Sequence, residues 1–348
     1  MAEHANATGA EHLMRVEKLL GLLANGAMSQ VISVAAELDI PNLLARGPKM
    51  VDELASATAC HAPSLHRLMR ALATIEFCTE LHDGSFALTA TGSLLQSDRV
   101  THFCSYAIWW GRYRWPVWGN LLHSVKTGES ARTLISGTAG FEHLRDDTEA
   151  AAIFNRAMAE LTRVVAEGAL RAYDFSGMRQ IVDVGAGYGE LLAAILVAYP
   201  EMRGVLFDLP HAIDGARRRL EQADVIDRCD IVAGDFFESV PPGADGYILK
   251  TVIHDWDDEH SIAILRNCRQ ASPQGARLLL LERIMPERMK PSLHDQNIAV
   301  ADLNMLVMFG GRERTTAEFR VLLEVAGYRL TKITGAGLDF CLIEAVAV

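Results

Sequence analysis

The amino-acid sequence predicts an α/β protein in which a Rossmann-like sheet of seven strands follows a helical, winged-helix-like N-terminal domain. Three observations support this fold. From Gln180 onward, short apolar strands alternate with helices, which is typical of βαβ units and a mostly parallel sheet. Before residue 172, apolar residues recur at helical spacing and strand-like runs are almost absent. A glycine-rich turn follows the first strand of the second half.

The 348-residue length fits two domains better than one. Asp174, Ser176 and Gly177 cluster at the change of pattern, so we predict domains at 1–172 and 173–348. In the first domain, residues 50–80 resemble a helix-turn-helix, and a short hairpin is expected around the turn at 82–84. Together these features predict a winged helix.

The second domain should contain seven strands, at 180–184, 204–209, 230–233, 246–252, 277–283, 328–334 and 340–346. The intervening helices are predicted at 190–199, 212–223, 258–269 and 316–326. The last two strands follow each other without a helix, which indicates an antiparallel edge.

Composition excludes several classes of protein. The net charge is −11 and the densest basic cluster, Arg217–Arg219, is followed at once by Glu221, which argues against nucleic-acid and anionic-membrane partners. No apolar run approaches the ~20 residues of a membrane span, and the N-terminus lacks a signal-peptide core, so a cytoplasmic location is expected. The six scattered cysteines should be free thiols rather than zinc ligands.

The glycine-rich turn reads Asp183-Val-Gly185-Ala-Gly187-Tyr-Gly189. Glycine permits close approach of the backbone to a ligand. A dinucleotide loop has the spacing GxGxxG, and here the position of the third glycine is Glu190, whose charge would repel a pyrophosphate. The NAD interpretation is therefore disfavoured.

Acidic residues end the next two strands. Asp208 can accept hydrogen bonds from ribose hydroxyls, and Asp235 can accept from an adenine amino group while Phe236 packs on the base. Taken singly, each aspartate is as readily a helix cap or a turn residue. Three acidic strand ends in order are more specific than any one of them.

Further motifs then point to one family. They are FDLP at 207–210, GDFF at 234–237, the run from Lys250 to Asp258 containing His254-Asp255-Trp256, Glu282-Arg283, and GGRERT at 310–315. With the glycine loop, they resemble the small-molecule O-methyltransferases of the plant caffeate type and the bacterial anthracycline and phenazine type, including acetylserotonin O-methyltransferase. The resemblance implies a class I methyltransferase domain that uses S-adenosylmethionine and an N-terminal dimerisation domain.

The resemblance also implies the site. His254 matches the general base, and Glu282 and Glu313 match the carboxylates that flank it. The cofactor residues would be Asp183, Gly185, Gly187, Asp208, Leu209, Gly234, Asp235, Phe236, Lys250 and Asp255. Simpler roles stay open: a lone loop histidine often lies at the surface, Glu282 could pair with Arg283 or Arg312, and Lys250 could point to water.

The acceptor residues implied by the resemblance are Trp110, Phe154, Met158, Asp302, Asn304, Met305 and Met308. Aromatic and methionine side chains at helical spacing are also common in cores and dimer interfaces. Asn304 stands out as a polar residue in an apolar run that needs a partner. No metal is expected.

Partners and rival functions follow from the same resemblance. We expect a homodimer with swapped N-terminal helices and a small aromatic hydroxyl compound as acceptor. N- or C-methylation, a repurposed enzyme on this scaffold, and a winged-helix DNA-binding regulator are the alternatives.

Overall fold

The computed structural model describes residues 2–97, 102–138, 140–141, 144, 147–210, 212–213 and 215–348, with side chains from residue 11 onward. These residues form two compact units, unit 1 (Met1–Trp115) and unit 2 (Pro116–Val348).

Unit 1 is helical with one small hairpin. Its helical segments are α1 (Ala2–Glu37), α2 (Ile40–Leu44), α3 (Val51–Thr58), α4 (Ala62–Thr74), α5 (Cys104–Ile108) and a π-helical stretch, Trp109–Arg114. Strands β1 (Cys78–Glu80) and β2 (Phe86–Leu88) pair antiparallel. Helices α3 and α4 and this hairpin share one core, which includes Leu54, Leu65, Met69 and Phe86. The predicted helix-turn-helix and wing are therefore present.

Helix α1 is a single 36-residue helix with an apolar surface. Leu20 and Leu23 are 60% and 70% exposed, and Leu13, Met14 and Leu19 are exposed as well. By length and composition alone, Glu11–Glu37 is apolar enough to cross a membrane, with a mean hydropathy of 1.5. The expectation that no segment reaches this threshold was wrong. A helix that pairs with another protein chain meets the same threshold, so the measure does not by itself indicate a membrane.

Unit 2 begins with short helices and continues as an α/β sheet. Its helices are α6 (Trp115–Trp118), α7 (Leu121–Thr127), α8 (Ala131–Ser136), α9 (Thr148–Ala172), α10 (Glu190–Ala198), α11 (Ala216–Gln222), α12 (Asp258–Ala271), α13 (Leu293–Met308) and α14 (Thr316–Val325). Its strands are β3 (Gln180–Val184), β4 (Arg203–Asp208), β5 (Cys229–Ala233), β6 (Gly246–Lys250), β7 (Arg277–Arg283), β8 (Tyr328–Gly337) and β9 (Phe340–Ala347).

The seven strands lie in the order β5-β4-β3-β6-β7-β9-β8. Strands β3 to β7 pair in parallel, and β9 runs antiparallel to both of its neighbours. The strand order reverses direction between β3 and β6. In open sheets of this type, the crevice beyond the carboxyl ends of such strands is where ligands bind. The predicted fold class, including the antiparallel edge, is confirmed.

Apolar clusters cover both faces of the sheet. One face packs Tyr247 and Leu280 with helices α12 and α14, and the other packs Ile248 and Leu279 with helices α9 and α10. Burial on both faces explains why β6 and β7 read as continuous apolar runs instead of alternating ones. The cores hold the strand ends, and therefore the crevice, in fixed positions.

The division between the units lies well before the predicted boundary after residue 172. Helix α9, which was assigned to the first domain, belongs to unit 2. Its residues Val165, Ala166 and Ala169 are buried in the same core as Leu191 and Leu192 of α10. This packing joins α9 to the catalytic sheet and moves the division to Trp115/Pro116.

Candidate active site

The glycine loop connects β3 to α10. Gly185, Gly187 and Gly189 have φ angles of 74°, 55° and 76°, a left-handed region that disfavours other residues. At Gly185 a Cβ atom would also lie 2.7 Å from a methyl group of Val252. Three glycines in this conformation turn the chain sharply and present bare backbone to the crevice.

Asp208 ends β4 and lies against this loop. One carboxylate oxygen accepts the Gly187 N–H at 2.7 Å, and the other accepts the Leu209 N–H at 2.7 Å. Its backbone carbonyl accepts the N–H of Gly234. The ends of β3, β4 and β5 therefore meet at one rim.

The third strand end presents aromatic rings. Phe236 lies edge-on to Phe237 at 5.0 Å and to Trp256 at 6.2 Å. The Asp235 carboxylate accepts the Phe237 N–H at 2.8 Å, which fixes the turn. These rings and the carboxylate supply both an apolar face and a hydrogen-bond acceptor.

Asp183, which is buried, and Lys250, which is partly buried, lie at the ends of β3 and β6 and influence each other's charge. Burial raises the pKa of Asp183 to about 7, although Lys250 opposes the shift. Burial lowers the pKa of Lys250 to about 8, opposed by Glu282 and Asp183. Within the described residues, Oδ2 of Asp183 has no hydrogen-bond partner. The Lys250 ammonium donates to the Thr251 hydroxyl at 2.7 Å.

His254 lies in the loop after β6, which we call the His254 loop (residues 251–257). Its Nδ1 is 3.0 Å from Oε1 of Glu313 and 3.5 Å from Oε2 of Glu282. Its Nε2 is 3.6 Å from Oδ1 of Asp255. Burial alone would lower the pKa of His254, but the charges of Glu313, Glu282 and Asp255 outweigh it and raise the pKa to about 9. The arrangement favours an imidazolium.

Glu282, at the end of β7, is completely buried, and that burial raises its pKa. One of its oxygens accepts the N–H groups of Val252 and Ile253, at 3.0 and 2.9 Å. The other oxygen faces the His254 ring. Glu282 therefore holds both the backbone and the side chain of the His254 loop, which goes beyond a pairing with Arg283.

Glu313 is also buried and contacts the same ring nitrogen of His254, Nδ1, as Glu282 does. Its backbone N–H donates to Asp302 on α13 at 2.9 Å, which ties the residue to that helix. Burial raises the pKa of Asp302. Arg283 also lies 3.8 Å from Glu313 and is a more distant partner of this carboxylate than His254 is. The three residues predicted as catalytic are thus in mutual contact.

Asp255 lies beside His254 and is nearly buried. Burial raises its pKa to about 7, with His254 opposing the shift. Ligand atoms of His254, Glu282 and Glu313 all lie within 4.8 Å of one another, a spacing that a cation could also occupy. A protonated imidazole already supplies one positive charge to this group of carboxylates.

Asn304 is buried on α13, and its amide is oriented by a neighbour. The Trp118 indole donates to Oδ1 of Asn304 at 3.2 Å. Because an indole N–H can only donate, the amide oxygen must face Trp118 and the NH₂ group must face away. Nδ2 has no partner within the described part of the chain.

The other predicted acceptor residues are divided between the units. Met305 and Met308 are buried on α13, and the Phe154 ring on α9 is 5.7 Å from Phe141. Met158 follows on α9 one turn later and is half-buried. Trp110 belongs to unit 1, where the Arg114 guanidinium lies 4.6 Å over its ring.

Two clusters near the site escaped the sequence analysis. Glu190, the first residue of α10, is buried and binds Arg163 of α9 at 2.9 Å and Arg219 of α11 at 2.6 Å. Arg314, next to Glu313, is fully buried and hydrogen-bonded to the His254 loop. Its place in the GGRERT motif was the available signal.

The fold and the rim together define a class I methyltransferase. This rim suits a nucleoside that carries an amino-acid tail. It combines left-handed glycines, an acidic residue after each of β4 and β5, an aromatic face and a buried carboxylate oxygen without a hydrogen-bond partner among the described residues. The loop lacks the third glycine of a dinucleotide site, and Glu190 occupies that position in an ion pair.

The chain belongs to the O-methyltransferase family. The O-methyltransferase domain model matches residues 118–329, and the O-methyltransferase dimerisation domain model matches residues 20–98. The chain is 41% identical to the phenazine O-methyltransferase PhzM of Lysobacter antibioticus, over 98% of each chain. It is 38% identical to the mitomycin biosynthesis 6-O-methyltransferase of Streptomyces lavendulae, over 92% of this chain and 91% of the relative.

Solved structures agree with this assignment. The crystal structure of LaPhzM superimposes with a TM-score of 0.91 at 41% identity, over 96% of this chain and 99% of that one. NcsB1, an O-methyltransferase from neocarzinostatin biosynthesis solved with S-adenosylmethionine and 2-hydroxy-5-methyl naphthoic acid, gives 0.76 at 31% identity, over 92% and 96%. The protein is an S-adenosylmethionine-dependent O-methyltransferase, and its dimerisation domain implies a homodimer.

Proposed function

We propose that this enzyme methylates a hydroxyl group of a small aromatic acceptor in antibiotic-type secondary metabolism, with His254 as the general base and without a metal ion. The observation that carries the proposal is the buried His254 ring held between Glu282 and Glu313 at the edge of the cofactor crevice. The names of the relatives support the acceptor class, because they act on phenazine and mitomycin compounds.

When bound, S-adenosylmethionine supplies an electrophilic methyl group on a positively charged sulfur. The residues that would hold it are Asp183, Gly185, Gly187, Asp208, Leu209, Gly234, Asp235, Phe236, Lys250 and Asp255. The left-handed glycines and the unpaired oxygen of Asp183 support this assignment. Asp208 would have to share its carboxylate with the glycine loop.

His254 accepts the proton of the acceptor hydroxyl through Nε2, while Nδ1–H donates to Glu313. A phenol has a pKa near ~10, so a base with a pKa of about 9 removes its proton at a cost of only about 1.4 kcal/mol. An unperturbed histidine, near ~6.5, would face a cost of about 5 kcal/mol. The carboxylates thus strengthen the neutral imidazole as a base. At pH 7 the imidazolium must first lose its own proton, at a cost of about 2.7 kcal/mol, so His254 acts fully as a base only near pH 9.

Glu282 and Glu313 stabilise the imidazolium that forms, in the way that a buried carboxylate supports a catalytic histidine. A metal ion bound to these carboxylates would compete with the imidazolium N–H for the same oxygens. Metal-independent transfer is therefore the simpler use of this group.

The acceptor would lie among Phe154, Met158, Asp302, Asn304, Met305 and Met308 of unit 2. The role of Trp110, which belongs to unit 1, stays a prediction. The amide NH₂ of Asn304, directed away from Trp118, offers a buried donor to an oxygen or ring nitrogen of the acceptor. Apolar methionine and phenylalanine side chains suit the flat ring itself.

We also propose that the dimer exchanges N-terminal helices and that the enzyme acts in the cytoplasm. The exposed leucines of α1 support the first point, since an apolar surface of this extent marks a protein interface. The six free cysteines suit a reducing compartment.

A panel of hydroxylated phenazines, naphthoates and benzoates tests the function, with and without EDTA. We expect methyl transfer to at least one hydroxyl, unchanged by EDTA, with a mass gain of one methyl group and the O-methyl position assigned by NMR. The matched acceptor lacking its ring carbonyl or carboxylate should lose affinity in wild type but not in Asn304→Leu.

Methylation of nitrogen or carbon in preference to oxygen would overturn the acceptor assignment. Loss of activity in EDTA with recovery on adding Mg²⁺ would overturn the metal-independent mechanism.

A further inference from the structure

A single β-bridge joins the extended segment that carries Glu313 to the chain just after β7. Arg314 pairs in parallel with Ile284, and its carbonyl accepts the N–H of Met285 at 2.9 Å. Successive side chains of an extended segment point to opposite sides. Glu313 faces His254, whereas Arg312 and Arg314 both reach Asp258 on the other side.

Arg314 has the most buried guanidinium group next to the site, at 0% exposure. It donates to the carbonyl of Ile253 at 2.9 Å, the carbonyl of Trp256 at 2.7 Å, Asp258 at 3.0 Å and the Ser261 hydroxyl at 3.2 Å. A buried charge is costly unless it is paired and hydrogen-bonded, and Asp258 supplies the opposite charge.

These bonds hold the His254 loop from its carbonyl side. The carbonyls of residues 253 and 256 bind Arg314, and the carbonyl of His254 accepts the Arg312 N–H at 2.9 Å. Glu282 holds the N–H groups of Val252 and Ile253 from the opposite direction. The backbone on both sides of the histidine is thereby fixed.

We propose that Arg314 is a positioning residue for methyl transfer: its fork, neutralised by Asp258, sets the place of His254 by binding the carbonyls of Ile253 and Trp256. The inference rests on the proposed role of His254 as the base. Arg314 touches neither reactant, so it acts only through the loop.

The geometry explains why arginine is needed here. A guanidinium presents several donors in a rigid plane, and Arg314 uses three nitrogens on four different acceptors. A lysine ammonium keeps the charge but cannot span the two carbonyls and Asp258 together. Arg314→Lys therefore removes the planar arrangement of donors while it keeps the positive charge.

The test measures kcat and KM for both substrates in Arg314→Lys. We expect kcat to fall about 10- to 100-fold, because a shift of about 1 Å at a reacting group has effects of this size. The KM values and the calorimetric affinity for S-adenosylmethionine should change much less than kcat, although Asp255 lies in the same loop. Asp258→Asn, which removes the charge that Arg312 and Arg314 share but leaves the bonds of Arg314 to the two carbonyls, should show a smaller loss of kcat.

Arg228→Lys is the matched control. Arg228 also holds a turn through backbone carbonyls, those of Leu196, Tyr199 and Met202, but at the opposite end of α10 from the glycine loop. The Arg228→Lys substitution should lower Tm as much as Arg314→Lys does and should leave kcat unchanged. The His254 ring signals in NMR should move in Arg314→Lys and not in Arg228→Lys.

A wild-type kcat in a folded Arg314→Lys protein, or unmoved His254 signals, would overturn the positioning role. An equal loss of kcat in the Arg228 control would do so too, since it would show a general effect of stability. If His254→Gln keeps full activity, the proposed base fails instead, and the two failures are distinguishable.

Discussion

The two units of this protein depart from the usual distribution of residues in opposite ways. Unit 1 exposes leucines along α1, whereas unit 2 buries carboxylates, a histidine and an arginine at the end of its sheet. Exposed leucine and buried charge each cost free energy in an isolated chain. Under the proposed function, another molecule completes each of these surfaces: a second subunit covers α1, and the reactants bind at the sheet edge.

The largest effect should come from removing the buried base. His254→Gln keeps the size and polarity of the side chain but cannot accept a proton at this position. We expect kcat to fall about 10²- to 10⁴-fold, the range for loss of general-base catalysis. Binding of S-adenosylmethionine, measured by calorimetry, should change little, and an unchanged kcat would contradict the proposed mechanism.

The next effect concerns the exposed leucines. The double variant Leu20→Glu/Leu23→Glu places two charges on the apolar face of α1 and should convert the dimer to a monomer in light scattering at micromolar concentration. Val321→Glu, at an exposed valine of α14, is the control and should stay dimeric. A dimer that persists in the double variant would remove α1 from the interface.

A smaller effect should follow from neutralising one carboxylate beside the base. In the wild type, kcat/KM should rise with pH and level off above about 9, as His254 loses its proton. Glu313→Gln removes a negative neighbour, so the pKa of His254 falls and the plateau begins at lower pH. The plateau itself should be about 10- to 100-fold lower, because one stabilising charge is lost.

Glu344→Gln, on β9 opposite Leu279 near the start of β7, serves as the control for Glu313→Gln and should keep the wild-type pH profile. A Glu313→Gln profile that coincides with that of the wild type would show that Glu313 does not act on the histidine.

The smallest effect is one of stability. Burial raises the pKa of Asp183 to about 7, so the stability it contributes is complete below its unfolded value near 3.8 and is lost as pH rises through 7. Asp183→Asn has no such dependence. The Tm of Asp183→Asn relative to wild type should increase between pH 5 and pH 8.5. The increase should be about 2–4 °C for each 1 kcal/mol of unfolding free energy that the wild type loses over this range.

Asp230→Asn, at an exposed position of β5, should show no difference between the two pH values. If Asp183→Asn also showed no difference between the two pH values, the Asp183 carboxylate would not be the cause of the pH dependence of the wild-type Tm.

The sheet could be predicted because its inner strands are buried on both faces and therefore read as unbroken apolar runs, as in β6 and β7. The site triad could be predicted because each member sits in a contiguous motif. The Arg163–Glu190 pair could not, since contacts between distant charged residues leave no periodic pattern. For Arg314 the GGRERT motif marked the position but not its contacts with the His254 loop.

Helix α9 carries Phe154 and Met158 near its start and Arg163 farther along, where Glu190 anchors it behind the glycine loop. Roughly two and a half turns separate Phe154 from this anchor. A designer could therefore vary the first turns of α9 to admit a new acceptor while the later turns keep the cofactor loop in place. If Phe154 and Met158 bind the acceptor as proposed, acceptor preference and cofactor use would be separately tunable traits on this helix.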